Sequence, residues 1–381
     1  MSTFQRVKQE LIENKKVREQ GGYTCIPFVL LPELGNVIPG IQKKKYSLCT
    51  ASSKVGKSKL AQFLFVYNPY TFVTTYKTDI TLKVIYNSLE VSKEEIIAQY
   101  LSYRLYVDHK IIIAPDKLRS NFQNYILSNS LMELINTYDD EMARFESMVL
   151  INDVSKNPFG IYNRVRQYAY DNGVHLDKQG VKINKADLLS NNTEVRDKAI
   201  FSIDSYKPNN PNEYVIIITD HLSLLHSEKG GGLWDTMGYF SSKYCLHMRD
   251  RWSYHVVNVQ QQASDQEKQQ FTFKGDSVVA KLRPTTDGLA DNKTTQRDVD
   301  LMFGLFAPHR YKIPRYEGYD IDKLGDNYRE FMVMLNRSGT GFINSDLYFN
   351  GACNYFKTLP SADKITEETY KNIKKLNNDS K

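Results

Sequence analysis

Short, nearly continuous apolar runs recur along the chain from about Ile26 onwards. The clearest runs are Tyr46–Thr50, Leu82–Tyr86, Met148–Ile151, Tyr214–Thr219, His255–Val259, Leu301–Phe306 and Phe331–Leu335. Longer stretches with helical spacing follow most of them, for example Lys57–Val66 and Glu94–Leu105. Continuous apolar strands that alternate with helices are typical of a parallel sheet covered on both faces. The pattern therefore predicts an α/β fold with a mostly parallel central sheet flanked by helices.

The beginning of the chain follows a different pattern. Between residues 2 and 19 a narrow apolar stripe lies on an otherwise charged segment, and it consists of Phe4, Val7, Leu11 and Ile12. Ser2 or Thr3 can cap a helix here, and Gly21-Gly22 can end it. An amphipathic helix must bury its stripe against something. The stripe can pack either on the body of its own chain or on a neighbouring molecule, and packing on its own chain is the simpler expectation.

Two segments are too polar to belong to the sheet or its covering helices. Residues 174–212 are rich in Asn, Asp and Lys, which predicts an insertion at the surface. Residues 263–293 carry charges, Gly and Pro without periodicity, which predicts a long loop. Loops of that length are often functional.

Composition narrows the class of protein. The 381 residues suffice for two average domains or one large α/β domain with appendages, and 41% hydrophobic residues can build a core. The net charge of +6 neither identifies nor excludes a nucleic-acid binder. The 4 cysteines form no C-x-x-C pair, so neither a zinc ribbon nor a disulfide scaffold is expected. We expect a soluble protein without a membrane partner, because no apolar run approaches the roughly 18 residues of a membrane helix.

The strongest local motif is Ala51-Ser-Ser-Lys-Val-Gly-Lys-Ser58, which follows one strand and opens a helix. In that context backbone N–H groups and the positive end of the helix converge on phosphates. Gly56 permits the turn, Lys57 neutralises phosphate oxygens, and the Ser58 hydroxyl ligates Mg²⁺. The motif departs from the general pattern at Ala51, where Gly is usual. It predicts a nucleotide site formed by Ser52, Ser53, Lys54, Val55, Gly56, Lys57 and Ser58.

Polar residues stand at the ends of three further core strands. Asp220 ends the run Val-Ile-Ile-Ile-Thr-Asp and predicts a second Mg²⁺ anchor, with a helix cap as the alternative. Glu90 follows another strand and can polarise an attacking water, again with a helix cap as the alternative. Gln260, Gln261 and Gln262 end a third strand. We favour Gln261 as the residue that contacts the γ-phosphate, and a solvated strand end is its alternative.

These motifs occur in an order that resembles the C-terminal motor domain of DnaB-type replicative helicases, which are RecA-like ATPases of superfamily four. Ser88-Leu-Glu-Val-Ser92 is similar to the family segment that carries the catalytic Glu, and Ile218–Leu225 is similar to its Walker B segment. Thr295–Asp300 resembles the segment before a late strand, and Asn336–Gly341 resembles the closing hairpin. The resemblance extends over residues 22–360, and the family accepts Ala at the position of Ala51.

The resemblance implies a RecA-like P-loop ATPase that uses ATP and Mg²⁺ and assembles into a homo-oligomeric ring, expected to be a hexamer. It implies that Glu90 is the catalytic carboxylate and that one of the glutamines 260–262 is the sensor, among which we favour Gln261. Arg337 would be an arginine finger that reaches the γ-phosphate bound to the neighbouring subunit, where such a residue is worth 10³–10⁵ in rate in other P-loop enzymes. One departure is Leu335, which stands where the family has Lys, so one phosphate contact is missing or comes from elsewhere.

The second departure concerns the start of the chain, where we expect no separate N-terminal domain. Residues 2–19 resemble the family's linker helix, which docks on the adjacent subunit, so the comparison favours a neighbouring molecule as the partner of the apolar stripe. We therefore expect a linker helix over residues 1–22, one motor domain over 23–360 with an insertion at about 174–212, and a tail over 361–381.

A ring motor of this kind holds a single strand through loops that face its channel. Two segments are suitably placed: the glycine-rich stretch Ser227–Gly232 and the loop 263–293. The residues expected to contact DNA are Lys229, Gly231, Lys268, Lys274, Lys281 and Arg283. For each basic residue a solvated loop position is the alternative.

The leading hypothesis is an ATP-dependent helicase or translocase on single-stranded DNA, with a primase or loader as a further partner. An amino-acid composition rich in Asn, Lys, Ile and Tyr, together with the expected lack of a separate N-terminal domain, favours a role in the replication of phage or mobile-element DNA in the bacterial cytoplasm. Two alternatives stay open. One is a RecA-like recombinase or loader that does not unwind, and the other is a regulatory P-loop ATPase that uses ATP to switch assembly.

Overall fold

A nine-stranded sheet forms the centre of the computed structural model, which describes residues 2–190, 192–227, 230–263, 282–339 and 343–379. The described strands are β1 (Lys45–Ala51), β2 (Thr81–Ser88), β3 (Val149–Asn152), β4 (Gly173–Leu176), β5 (Ser205–Pro208), β6 (Glu213–Asp220), β7 (His255–Gln261), β8 (Leu301–Phe306), β9 (Arg315–Tyr316), β10 (Tyr319–Asp320), β11 (Tyr328–Asn336), β12 (Asn344–Asn350) and β13 (Tyr355–Thr358). The central sheet has the order β13-β12-β11-β8-β1-β7-β6-β2-β3.

The sheet is parallel from β8 to β3, and only β11, β12 and β13 run antiparallel to their neighbours. The prediction of a mostly parallel central sheet is confirmed, and each of the apolar runs singled out in the sequence contributes a strand. The register places Ala51 opposite Gln261 and Ser88 opposite Asp220. The carboxyl ends of β1, β2, β6 and β7 therefore meet at one edge of the sheet, where α/β proteins bind ligands.

Helices cover both faces of the sheet. The described α-helices are α1 (Thr3–Glu19), α2 (Lys57–Gln62), α3 (Asn68–Thr75), α4 (Lys93–His109), α5 (Pro115–Leu118), α6 (Asn129–Asn136), α7 (Asp139–Met148), α8 (Pro158–Asp171), α9 (Lys185–Leu188), α10 (Thr193–Ser202), α11 (Leu233–Tyr239), α12 (Leu246–Trp252), α13 (Ile321–Leu324) and α14 (Glu367–Asp379). A π-helical turn, Phe63–Tyr67, joins α2 to α3, and a second, Phe240–Cys245, joins α11 to α12.

Apolar side chains of the sheet pack into two main clusters. One contains Leu60, Phe63 and Tyr100 from α2–α4 together with Phe303 of β8. The other contains residues of α8, α11 and α12, among them Ile161, Met237 and Trp252. Both clusters receive side chains from the central strands, because successive strand residues point to opposite faces. The sheet is thus buried on both sides, as its continuous apolar strands predict.

Helix α1 forms where its capping signal predicts. The Gln5 amide donates to Ser2 Oγ at 3.2 Å, and the Ser2 amide donates back to Gln5 Oε1 at 2.8 Å, which is a capping box. The apolar stripe nevertheless stays in solvent, with Phe4 75% and Leu11 63% exposed. No residue of α1 is buried by the part of the chain that the structure describes. The simpler expectation, that α1 buries its stripe against its own chain, is therefore not met by the residues that the structure describes.

The polar segment 174–212 is folded. Strands β4 and β5 form an antiparallel hairpin, and helices α9 and α10 contribute Leu188 and Ala199 to a small separate apolar cluster. Gly173 allows this hairpin to close, because a Cβ atom at that position would lie 2.2 Å from the ring of Tyr206. The segment thus has its own structure at the surface. Among the described residues, no helix combines the length and the apolar character needed to cross a bilayer.

Candidate nucleotide-binding site

The segment Ala51–Ser58, which the sequence predicts to bind phosphates and which we call the phosphate turn, connects β1 to α2 at the carboxyl edge of the sheet. Lys54 and Gly56 both have positive φ angles, 58° and 111°, so the turn uses the left-handed region at two positions. A Cβ atom at Gly56 would also approach the Phe349 ring at 3.3 Å. Glycine is thus required there for conformation and for space. Lys57 is the first residue of α2 and is buried.

Ser58 and Asp220 lie next to each other in this turn. The Ser58 hydroxyl donates to Asp220 Oδ1 at 2.8 Å, and the Tyr86 hydroxyl donates to Asp220 Oδ2 at 2.6 Å. Burial raises the pKa of Asp220, while the hydrogen bonds from Tyr86 and Ser58 and the charge of Lys57 oppose that shift. Hydroxyl and carboxylate oxygens are the ligands that Mg²⁺ prefers. The donor set therefore suits a nucleotide-bound Mg²⁺, as the sequence predicts.

Glu90 lies at the same carboxyl edge of the sheet, two residues after the end of β2. It follows β2, whose neighbouring residue Leu89 donates its amide to the Asp220 carbonyl at 2.8 Å. The Glu90 side chain is 60% exposed, and its Oε2 lies 3.7 Å from Nε2 of the buried His221. Burial and the charge of Lys57 lower the pKa of His221. A neutral imidazole therefore borders Glu90, a neighbour that the sequence does not reveal.

The three glutamines at the end of β7 have different surroundings. Gln260 is buried and donates to the carbonyls of Ala290 and Asn292. Gln262 is buried and donates to Thr50 Oγ1 at 3.0 Å. Gln261 is only half-buried and pairs with Ala51, the first residue of the motif. Its sensor role stays a prediction, and its position beside the turn is compatible with that role.

Arg337 lies at the opposite edge of the sheet. It follows Asn336, which pairs with Leu301 at the start of β8, whereas the phosphate turn follows Ala51, which pairs with Leu305 near its end. The Arg337 guanidinium is exposed and donates to the carbonyl of Arg297 at 2.6 Å. It therefore cannot serve the phosphate turn of its own chain. Leu335 packs at the margin of an apolar cluster and does not face that turn.

Residues of β11 and β12 and of the segments next to β8 and β12 contact the phosphate turn and the start of α2. Arg329 Nε donates to the Val55 carbonyl at 2.7 Å, and the Arg329 guanidinium lies 4.7 Å from the centre of the Phe349 ring. The Tyr311 hydroxyl donates to Ser52 Oγ at 3.4 Å, and Lys59 Nζ donates to the Gly351 carbonyl. The sequence gives no local signal for these supports, because Arg329 lies 274 residues from Val55.

Of the residues expected to contact DNA, the structure describes Gly231 and Arg283. Gly231 lies beside a groove of about 940 Å³ whose lining includes Phe159, Trp234 and Tyr239. Arg283 donates to Glu330, whose side chain is 2% exposed, so its guanidinium already has an internal carboxylate partner. Lys229, Lys268, Lys274 and Lys281 lie outside the described residues. Residues 282–293 contain the 3₁₀ turn Thr286–Gly288, and a second such turn begins at Lys293.

Comparisons with known proteins bear on the fold. No protein-family model matches the chain, and no curated protein matches its sequence. Among solved structures, the chain is similar to the ATPase domain of G40P, with a TM-score of 0.63, 17% identity, and coverage of 93% of this chain and 99% of that chain. It is also similar to a solved structure that describes a DnaB-like replicative helicase and its interactions with primase. For that structure the TM-score is 0.60, the identity is 17%, and the aligned region covers 92% of this chain and 66% of that chain. The chain therefore has the RecA-like fold of a DnaB-type helicase ATPase domain, as its motif order predicts.

Proposed function

We propose that this chain is an ATP-dependent helicase or translocase that moves on single-stranded DNA as a homo-oligomeric ring, a hexamer, in the bacterial cytoplasm. The observation that carries the proposal is the 2.8 Å hydrogen bond between Ser58 of the phosphate turn and Asp220 of the neighbouring strand end. A helix-opening hydroxyl beside a buried acid is the arrangement that anchors a nucleotide-bound Mg²⁺ in P-loop enzymes. The fold shared with a DnaB-like replicative helicase supports the same class of activity.

Each residue of the site has a proposed task. Residues 52–57 bind the phosphates of ATP through backbone N–H groups and the Lys57 ammonium. Ser58 and Asp220 would hold Mg²⁺, which would neutralise negative charge on the phosphates of ATP. Glu90 would accept the proton of the attacking water, since it follows β2 at the sheet edge where the γ-phosphate would lie and its side chain is 60% exposed. Gln261 contacts that phosphate from the end of β7.

Assembly would complete the site. Because Arg337 is held at the edge opposite the phosphate turn, it can only reach a nucleotide bound to another copy. Arg297 connects this region to the groove, since its side chain lines the groove and its carbonyl accepts from Arg337. We propose that the groove receives helix α1 of a neighbouring copy. Both surfaces carry exposed apolar side chains, Phe4 at 75% on the helix and Trp234 at 56% in the groove.

Single-stranded DNA would be held by two segments, the stretch around Gly231 and the loop 263–293 with Lys268, Lys274 and Lys281. Contacts of this kind are made to phosphates and carry little sequence preference. Residues 1–22 would act as the linker helix, 23–360 as the motor with the folded insertion 174–212, and 361–381 as a tail. A replication role in phage or mobile-element DNA, with a primase or loader as partner, completes the proposal.

One observation favours a second candidate function. Leu335 packs against an apolar cluster where a phosphate-contacting Lys would stand in the DnaB-type motif. An ATPase without that contact would turn over slowly, which suits a recombinase, a loader or an assembly switch. The two candidates differ in whether ATP hydrolysis is coupled to duplex separation.

Strand displacement tests the proposal directly. The wild type should separate a forked duplex only with hydrolysable ATP, whereas Lys57→Ala should lose ATP binding and Glu90→Gln should bind ATP without hydrolysing it. ATPase activity stimulated by single-stranded DNA but without unwinding, under conditions where rings form, would establish the recombinase or loader instead. ATPase activity that is indifferent to DNA would establish the regulatory alternative.

A further inference from the structure

Arg329 is a fully buried cation next to the nucleotide site. Its relative exposure is 0%, and the guanidinium donates to oxygen atoms of the turn before β11, of β11 itself and of the phosphate turn. Nε donates to the Val55 carbonyl at 2.7 Å, Nη1 donates to the carbonyls of Asp326 at 2.7 Å and Tyr328 at 2.8 Å, and Nη2 donates to Asp326 Oδ1 at 3.0 Å. Well-packed apolar residues can replace a buried ion pair without loss of stability, so stability alone does not explain this cation.

The contact with Val55 fixes the orientation of one peptide group of the turn. A trans peptide is planar, and its C=O and N–H bonds point in opposite directions. Because the Val55 carbonyl points towards Arg329, the N–H of Gly56 points away from Arg329, and we infer that it faces the concave side of the turn. That N–H group belongs to the set that a phosphate would contact.

Phe349 reinforces the same peptide. Its ring lies under Gly56, close enough that a Cβ atom there would be 3.3 Å away, and it also stacks under the Arg329 guanidinium with 4.7 Å to the ring centre. Cation–π contact of a desolvated guanidinium with an aromatic face is favourable. The ring and the cation thus both restrain the Val55–Gly56 peptide.

We propose that Arg329 is a positioning residue for nucleotide binding, which holds the Val55–Gly56 peptide so that the Gly56 N–H faces the phosphates of ATP. It touches neither the nucleotide nor the reacting atoms and acts through the backbone of the turn. The inference rests on the proposed function, since it requires that the turn binds ATP. It assigns the conformation of the turn to a residue of β11, outside the motif itself.

The test compares three variants with the wild type by calorimetric titration with Mg·ATPγS. Arg329→Lys keeps the charge, but a single ammonium group cannot reproduce the planar fork that reaches Val55 and Asp326 together. We expect it to weaken binding by at least about tenfold, the effect of losing one charge-assisted hydrogen bond. Phe349→Leu should weaken binding about threefold or more, because it removes the ring that restrains the same peptide.

Asp326→Asn is the matched control. It removes the ion pair with the same guanidinium but leaves the Val55 contact, and the Asp326 carboxylate is 65% exposed. Its affinity should stay within about twofold of the wild type. Steady-state kinetics add a second readout, because a positioning role raises KM for ATP while kcat at saturation changes much less. Melting temperatures without nucleotide report any loss of stability separately.

The outcomes separate the inference from the proposed function. A folded wild type that does not bind Mg·ATPγS would overturn the proposed function. Wild-type binding with unchanged affinity in both Arg329→Lys and Phe349→Leu would overturn the positioning role alone. An Asp326→Asn affinity as weak as that of Arg329→Lys would show that the ion pair, and not the Val55 carbonyl, is what matters, and would overturn it too. If Arg329→Lys does not fold, the Phe349→Leu affinity and KM decide.

Discussion

Tyr86 donates its hydroxyl to the buried carboxylate of Asp220 at 2.6 Å, on the side of that carboxylate opposite the Ser58 contact. The bond orients the acid towards Ser58 and stabilises its ionised form. We expect Tyr86→Phe to raise the Mg²⁺ concentration needed for half-maximal ATPase activity by about tenfold. We also expect a loss of about 1 kcal/mol in the free energy of unfolding.

Tyr214→Phe is the control for this change, because it removes a 2.7 Å hydrogen bond from the Tyr214 hydroxyl to the Thr24 carbonyl, away from Asp220. It should cost similar stability without altering the Mg²⁺ dependence. Equal Mg²⁺ curves for Tyr86→Phe and the wild type would show that Tyr86 does not orient the acid.

Shared active sites between copies can be detected by mixing variants. Arg337→Ala keeps an intact phosphate turn, and Lys57→Ala keeps an intact finger, so each alone should be inactive as an ATPase. In an equal mixture, roughly a quarter of the interfaces combine an intact turn with an intact finger from a neighbour. We expect ATPase activity to reappear in proportion. As a control, a mixture of Arg337→Ala with the double variant Lys57→Ala/Arg337→Ala should stay inactive. If the first mixture gains no ATPase activity, an arginine finger from a neighbouring copy is excluded.

The exposed stripe of α1 predicts the route of assembly. Leu11→Glu places a charge in the stripe, while Gln9→Glu places the same charge on the opposite side of the helix. We expect the first to shift the protein from ring to monomer in sedimentation experiments and the second to leave the ring intact. Circular dichroism should show that both variants retain the helix, although Gln9→Glu loses the hydrogen bond from Gln9 Nε2 to Glu13 Oε1. Rings of equal stability in the two variants would mean that α1 does not bind the groove.

The role of Arg283 can be separated from that of the lysines in the loop 263–293. Arg283→Ala leaves Glu330 buried without its cation, so we expect about 2 kcal/mol lower stability by denaturant titration. Lys274→Ala combined with Lys281→Ala should leave stability unchanged but weaken binding of single-stranded DNA. The slope of log affinity against log salt should fall by about 0.7 for each lost phosphate contact. An unchanged slope would remove both lysines from the DNA-binding surface.

Buried histidines predict how stability depends on pH. His255 accepts from Ser47 Oγ at Nε2, 3.0 Å away, and donates from Nδ1 to the Gln42 carbonyl at 2.8 Å, and burial lowers its pKa from 6.5 to about 4. The unfolded chain binds more protons than the folded chain between these two values, so stability is full above pH 6.5 and falls as the pH decreases towards 4. His255 alone contributes up to about 3 kcal/mol to this loss.

Replacement of His255 by Asn should flatten that part of the curve of unfolding free energy against pH. Replacement of the exposed His309 should leave its shape unchanged, although both variants remove an imidazole. Parallel curves for His255→Asn and the wild type between pH 6.5 and 4 would contradict the assigned protonation of His255.

The sequence by itself determined the architecture and the order of the motifs. Continuous apolar runs predicted the strands of the central sheet, because a strand that is buried on both faces has apolar residues at successive positions and not only at alternate ones. The strand–turn–helix context located the phosphate turn, because its chemistry is local and needs contiguous residues. A helix cap at Ser2 or Thr3 was also predictable, since a capping box spans only four residues, and the structure shows that Ser2 is the cap.

Only the tertiary structure decided which distant residues act on the turn. The turn and its Asp220 neighbour are contacted from other strands by Arg329, Phe349 and Tyr86. The positions of these three residues in the sequence do not indicate those contacts. The structure also distinguished Gln261 from its two buried neighbours and gave Arg283 an internal partner. It placed Arg337 across the sheet from the turn and left the stripe of α1 exposed. These relationships depend on strand order and register, which arise from packing over long separations and not from any local pattern.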